Sequence, residues 1–158
     1  MNVRTVDFCP EDLAFGTPRK TPDIHGGDGW DVLEGRARVR SDSGQDWTEP
    51  MLSAAQAMLA AAQHHQVHLA LLTDISAACG SQVIYLGARA DRVHQAGQGV
   101  CAALLVRSGF KVMSQRDHRT LGLLLHKLDP TSEPDPAARD HHETAWYTER
   151  FGSSTGQL

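Results

Sequence analysis

Several features are scarce in this chain, and each absence narrows the reading. No apolar run approaches the roughly 20 residues a bilayer requires, so no membrane-spanning helix is expected. The opening residues Met1-Asn2-Val3-Arg4-Thr5 lack the apolar core of a secretory signal. A cytoplasmic protein is the expectation. No stripe of clustered Lys or Arg occurs, and the formal charge is -4 with a pI near 6.1. That balance gives no electrostatic footprint for nucleic acid. There are three cysteines, Cys9, Cys79 and Cys101. So sparse and odd a set argues against a secreted disulfide framework and leaves buried thiols, a reactive thiol or metal ligands. No internal repeat is present.

What is there suits one globular domain. The length is 158 residues, with 41% hydrophobic and 22% charged residues. Val3 to Phe8 alternates apolar and polar residues and stops at Cys9-Pro10, which predicts a short strand. Residues 11–30 are rich in Gly, Pro and Asp and predict a long loop. Residues 31–40 followed by Ser41-Asp42-Ser43-Gly44 predict a small hairpin. Thr48 is placed to cap a helix over residues 51–65, with Leu52, Ala55, Leu59 and Ala62 on one face. Residues 68–73 predict a buried parallel strand, and Phe110 to Ser114 another. Helices are predicted over 100–108, closed by Gly109, and over 120–128, with Pro130 just beyond. The predicted fold is α/β: a single domain with a mostly parallel sheet flanked by helices and a small β-hairpin insertion. The main domain is expected over residues 1–128. Residues 129–158 are expected to hold a linker, a short helix within 141–151 and a disordered tail from Gly152.

In parallel α/β sheets, ligands bind beyond the carboxyl ends of the strands. Cys9 follows the predicted first strand, and Cys79 lies in the small-residue loop Ser76-Ala77-Ala78-Cys79-Gly80 after another. If those strands are neighbours, both sulfurs face one crevice. Thiolates there would be soft ligands for an iron–sulfur cluster or for zinc. Equally, free cysteines are commonly inert core residues, and Cys101, within an apolar helix opening, reads that way. Ser76 could hydrogen-bond a substrate, donate a proton or cap its own turn. Gly97-Gln98-Gly99 precedes a helix but lacks a full GxGxxG or P-loop pattern, so it reads as a tight turn. His25 is either a ligand or an exposed loop histidine. The pairs His64-His65 and His141-His142 lack a known metal spacing.

An ordered series of motifs resembles the bacterial thiouracil desulfurase family. The series is Cys9-Pro10-Glu11, Thr17-Pro18-Arg19, Ile24-His25-Gly26-Gly27-Asp28-Gly29, Ala37-Arg38-Val39, Ser76-Ala77-Ala78-Cys79-Gly80-Ser81, Ile84-Tyr85 and residues 97–105, followed by Gly109 and residues 111–114. It spans about Val3 to Gln115. The resemblance implies a four-iron four-sulfur cluster held by three cysteines. Its open iron would take the sulfur of a thiolated pyrimidine such as 2-thiouracil, releasing sulfide and leaving uracil. Carried over by position, Cys9 and Cys79 match two cluster ligands, and Ser76 matches the serine near the substrate.

The departures are specific. In the family a leading strand ends in Cys-Leu-Leu-Gly, whose cysteine is the third ligand, and that segment falls outside these residues. The family glutamate assigned to proton transfer lies a few residues upstream of the Cys9 position. Thr5 stands at about its place, and Asp7 is out of register. Cys101 replaces a usual threonine and makes a poor substitute ligand. Three accounts fit the short front: a start placed too far downstream, a homo-oligomer or partner chain covering the missing strand, or a divergent relative stable without it. The stretch from Asp117 to Phe151, with Leu121, Leu124, Leu125 and Leu128, is expected to refill that space. The enzymatic reading is a cluster-dependent desulfurase. Its alternative is a non-catalytic binding or accessory protein that keeps the fold without the cluster. A zinc site of Cys9, Cys79 and a histidine such as His25 is a third option.

Overall fold

The computed structural model describes residues 3–152. Six helices and six strands follow one another: α1 (Pro10–Phe15), β1 (Pro22–His25), α2 (Gly29–Leu33), β2 (Arg38–Ser41), α3 (Thr48–His64), β3 (Ala70–Leu72), β4 (Val83–Tyr85), β5 (His94–Ala96), α4 (Val100–Arg107), β6 (Val112–Ser114), α5 (His118–Leu128) and α6 (Ala145–Phe151). The fold is mixed α/β, and its parallel component is small. β3 pairs in parallel with β6, while β1–β2 and β4–β5 are antiparallel pairs.

The core lies between α3 and α4. Met51, Ala55, Met58 and Ala62 of α3 are buried in one cluster with Val100, Cys101, Leu104 and Leu105 of α4. The stripe recurs at three- and four-residue spacing, as an amphipathic helix requires. Leu52 and Leu59, expected at its centre, lie on its shoulder, only partly buried. Ile24, Val32 and Val39 close the cluster from the β1–α2–β2 side.

Several local expectations change. Residues 3–9 form no strand: they have no ladder partner, and Val3 and Val6 are exposed. Alternation permits a strand, but only pairing makes one. The hairpin turn at Ser41–Gly44 does form, with Arg40 bridged to Asp46, yet the main partner of β2 is β1 upstream. Residues 29–33 turn helical because Asp28 and Asp31 cap each other reciprocally. Asp46 rather than Thr48 accepts the first free amide of α3, and Thr48 Oγ1 accepts the Val39 N–H instead. β3 is parallel as expected but buried on one face only, with Leu71 52% exposed, because a two-stranded sheet has one uncovered side.

The connection from β3 to β4, residues 73–82, is shaped by one carboxylate. Asp74 Oδ1 accepts the backbone N–H groups of Ile75, Ser81, Gln82 and Val83 at 3.0–3.2 Å. Its Oδ2 accepts Ser114 Oγ at 3.1 Å and His141 Nδ1 at 2.8 Å. Gly99 lies against the same loop: a β-carbon there would come within 2.6 Å of the Ala78 backbone. The first amides of α4 are therefore spent on loop carbonyls, Val100 to Ala77 and Cys101 to Ala78.

The C-terminal segment docks through His141, not through leucines. No residue of α5 is fully buried, and Leu123 and Leu125 are half exposed, so this helix refills no core space. Trp146 and Tyr147 of α6 pack around the His141 ring. Except for Gly152 itself, the expected tail lies outside the described residues.

Candidate functional site

The site is built from the start of α1 and the β3–β4 loop. Cys9 is the N-cap of α1, its Sγ accepting the Asp12 N–H at 3.4 Å. Pro10 suits the first helical position, and Glu11 follows where an acid complements the helix N-terminus. Glu11 Oε2 accepts Nη2 and Nε of Arg19 at 3.3 and 3.4 Å. Arg19 also donates to Gly16 O and Thr17 Oγ1, and its Nη2 lies 4.0 Å from Cys9 Sγ.

In the β3–β4 loop, Ser76 Oγ accepts the N–H groups of Ala78 and Cys79 at 3.2 and 3.0 Å. It donates to Glu11 Oε1 at 3.1 Å. A path through Arg19 and Glu11 thus joins Cys9 Sγ to Ser76 Oγ and the Cys79 N–H, bringing the three residues expected from sequence to one place. Cys9 is exposed, Cys79 is partly buried and Cys101 is sealed in the core. Burial pushes the Cys79 thiol up to about 12, with further upward pressure from the charges of Glu11 and Cys9. Burial likewise drives the Cys101 thiol well above its ordinary value, and Cys79 adds to the effect.

His25 ends β1 beside Gly87 of the β4–β5 connection. Among the described residues, no three His, Cys, Asp or Glu side chains form a set that could hold a metal ion. Sequence reasoning missed Glu11 and Arg19. Both stand inside motifs singled out above, Cys9-Pro10-Glu11 and Thr17-Pro18-Arg19, but nothing local shows that they face Ser76.

Residues 1–117 match the sequence pattern described as 2-thiouracil desulfurase. This chain belongs to the 2-thiouracil desulfurase family. Over 115 residues it is 39% identical to the uncharacterized protein YbbK of Bacillus subtilis (strain 168), across 72% of this chain and 76% of that protein. It is also similar to a solved structure described as the 4Fe-4S-dependent thiouracil desulfidase TudS. There the TM-score is 0.64 at 32% identity, covering 77% of this chain and 74% of that one. Cys9, Glu11, Arg19, Ser76 and Cys79 lie within the family match, whereas α5, α6 and His141 follow it. Among the described residues, no helix is long and apolar enough to cross a membrane.

Proposed function

We propose that this protein is a desulfurase that exchanges the sulfur of a thiolated pyrimidine such as 2-thiouracil for oxygen. The observation that carries the proposal is the path that gathers Cys9, Ser76 and the Cys79 backbone through Arg19 and Glu11. In such a reaction water supplies the new carbonyl oxygen. Its two hydrogens leave with the sulfur as hydrogen sulfide, so no oxidant or reductant is consumed.

The residues gathered here fit a four-iron four-sulfur cluster at two positions. Cys9 and Cys79 supply soft sulfur ligands, and the Arg19 guanidinium beside Cys9 Sγ supplies positive charge. Cys101 does not fit as a third ligand, because its thiol has no exposed surface. When bound, the cluster would supply Lewis acidity toward a soft thiocarbonyl. Loading would release the Cys79 proton, since a thiol must ionise to bind metal. Ser76 holds its proton toward Glu11, where a substrate would meet it.

Among the described residues no third His, Cys, Asp or Glu joins Cys9 and Cys79 in a set that could hold a metal ion, which favours a second reading, in which the fold is kept for binding and no cluster assembles. A cytoplasmic setting agrees with three free thiols. A second copy or partner chain would find unpaired outer edges on β3 and β6.

Anaerobic reconstitution with iron and sulfide separates the two functions. The desulfurase reading expects a brown protein with bound iron and sulfide that converts 2-thiouracil to uracil. It also expects Cys9→Ser and Cys79→Ser each to lower the iron content. A colourless, inactive protein overturns it and leaves the binding reading, tested by thiouracil affinity without metal.

A further inference from the structure

We propose that Glu11 is a positioning residue of this site, fixing the Ser76 hydroxyl in one orientation and tying the Cys9 helix to the Cys79 loop. Its catalytic consequence rests on the desulfurase reading; its structural content does not. A serine hydroxyl has one proton to donate and two lone pairs that accept. The amides of Ala78 and Cys79 take both lone pairs. The proton is left one direction, and Glu11 Oε1 stands there at 3.1 Å.

Glu11 is itself held from the far side by Arg19, which is anchored on Gly16 O and Thr17 Oγ1. The carboxylate cannot turn away from Ser76 without breaking that pair. Between residues 9–20 and residues 74–83, all of them described, the Ser76–Glu11 contact is the one hydrogen bond. Orientation of the hydroxyl and separation of the two sulfur-bearing segments therefore depend on one side chain. Asp7 does neither: it is exposed on the unpaired stretch before Cys9.

The test compares Glu11→Ala, Glu11→Gln, Ser76→Ala and the double variant E11A/S76A. In the metal-free protein, amide hydrogen exchange at Ala78 and Cys79 is followed by NMR. Glu11→Ala is expected to speed both amides by about tenfold, the equivalent of one lost hydrogen bond. Glu11→Gln keeps an acceptor for the hydroxyl and is expected to stay within about threefold of the parent. In the reconstituted protein, Glu11→Ala is expected to lower kcat for 2-thiouracil about as far as Ser76→Ala, with KM little changed and Glu11→Gln recovering most of the loss.

Because Glu11 acts through Ser76, the double variant is expected to be no slower than Ser76→Ala alone. Unchanged exchange in Glu11→Ala overturns the proposal. So do additive losses of kcat in the double variant. If the parent takes up no iron and releases no sulfide, the desulfurase reading fails, and the exchange measurements alone decide whether Glu11 holds Ser76.

Discussion

Two carboxylates grip the same loop from opposite sides, and their surroundings differ completely. Glu11 approaches from α1, keeps 18% side-chain exposure and is paired with Arg19. Asp74 lies behind the loop with 0% side-chain exposure and takes four backbone amides, Ser114 and His141. A buried carboxylate needs every acceptor position filled, or its desolvation goes uncompensated. A partly wet one tolerates spare capacity, which a reacting site requires. The loop that carries Ser76 and Cys79 is thus held by a fully buried carboxylate at one end and by a single partly exposed one at the other.

Substitutions can break each half of that comparison separately. The largest effect is expected for Asp74→Ala, which orphans buried amides and the His141 ring. Urea unfolding of the metal-free protein should show a loss of about 3–5 kcal/mol. A loss below about 1 kcal/mol would show that the back of the loop is not held this way. Ser76→Ala should do the reverse. The cost in stability should stay near about 1–2 kcal/mol, for the part-buried Ala78 and Cys79 amides left without an acceptor, while kcat for desulfuration falls by roughly a hundredfold or more; a fall in stability without one in kcat would make Ser76 a turn cap only.

His141→Ala comes next, at about 2 kcal/mol for one lost hydrogen bond to a charged group. Because His141 lies beyond the family match, this variant measures what the C-terminal segment adds to the family fold. The smallest effect concerns the thiols. In metal-free protein at pH 8, an alkylating reagent should modify exposed Cys9 first, then Cys79, and Cys101 only on unfolding. Stability should also fall as pH rises above 9. There the unfolded Cys79 thiol gives up its proton, while the folded one holds it to about 12, so the folded state binds more protons across that window. Unfolding midpoints equal at pH 8 and pH 10 would contradict the burial of Cys79.

Much of the fold could be read locally. α3 and α4 follow from Ala- and Leu-rich stretches at helical spacing, and Gly109 closes α4 with a positive φ. The strand expected before Cys9 fails for a non-local reason, since its backbone finds no partner. Gly97-Gln98-Gly99 is an irregular connection between β5 and α4 and not the tight turn expected, and nothing local shows that Gly99 is needed for backbone contact with Ala78. Of the site, Cys9, Ser76 and Cys79 were legible from the motif series, and their meeting depended on packing. Glu11 was in view as part of a motif, yet its partner lies 65 positions away.

The sequence alone determined the helices α3 to α6, the family and the identity of the three sulfur and hydroxyl groups, because these rest on local propensity and on motif order. Only the tertiary structure decided that Glu11, not Asp7, meets Ser76. Only it showed that Asp74 and His141, 67 positions apart, share a buried bond, and that Cys9 is open while Cys101 is sealed. Local preference acts within a turn or two of chain. Burial and hydrogen bonding between distant segments arise only when the core has packed and water has been excluded.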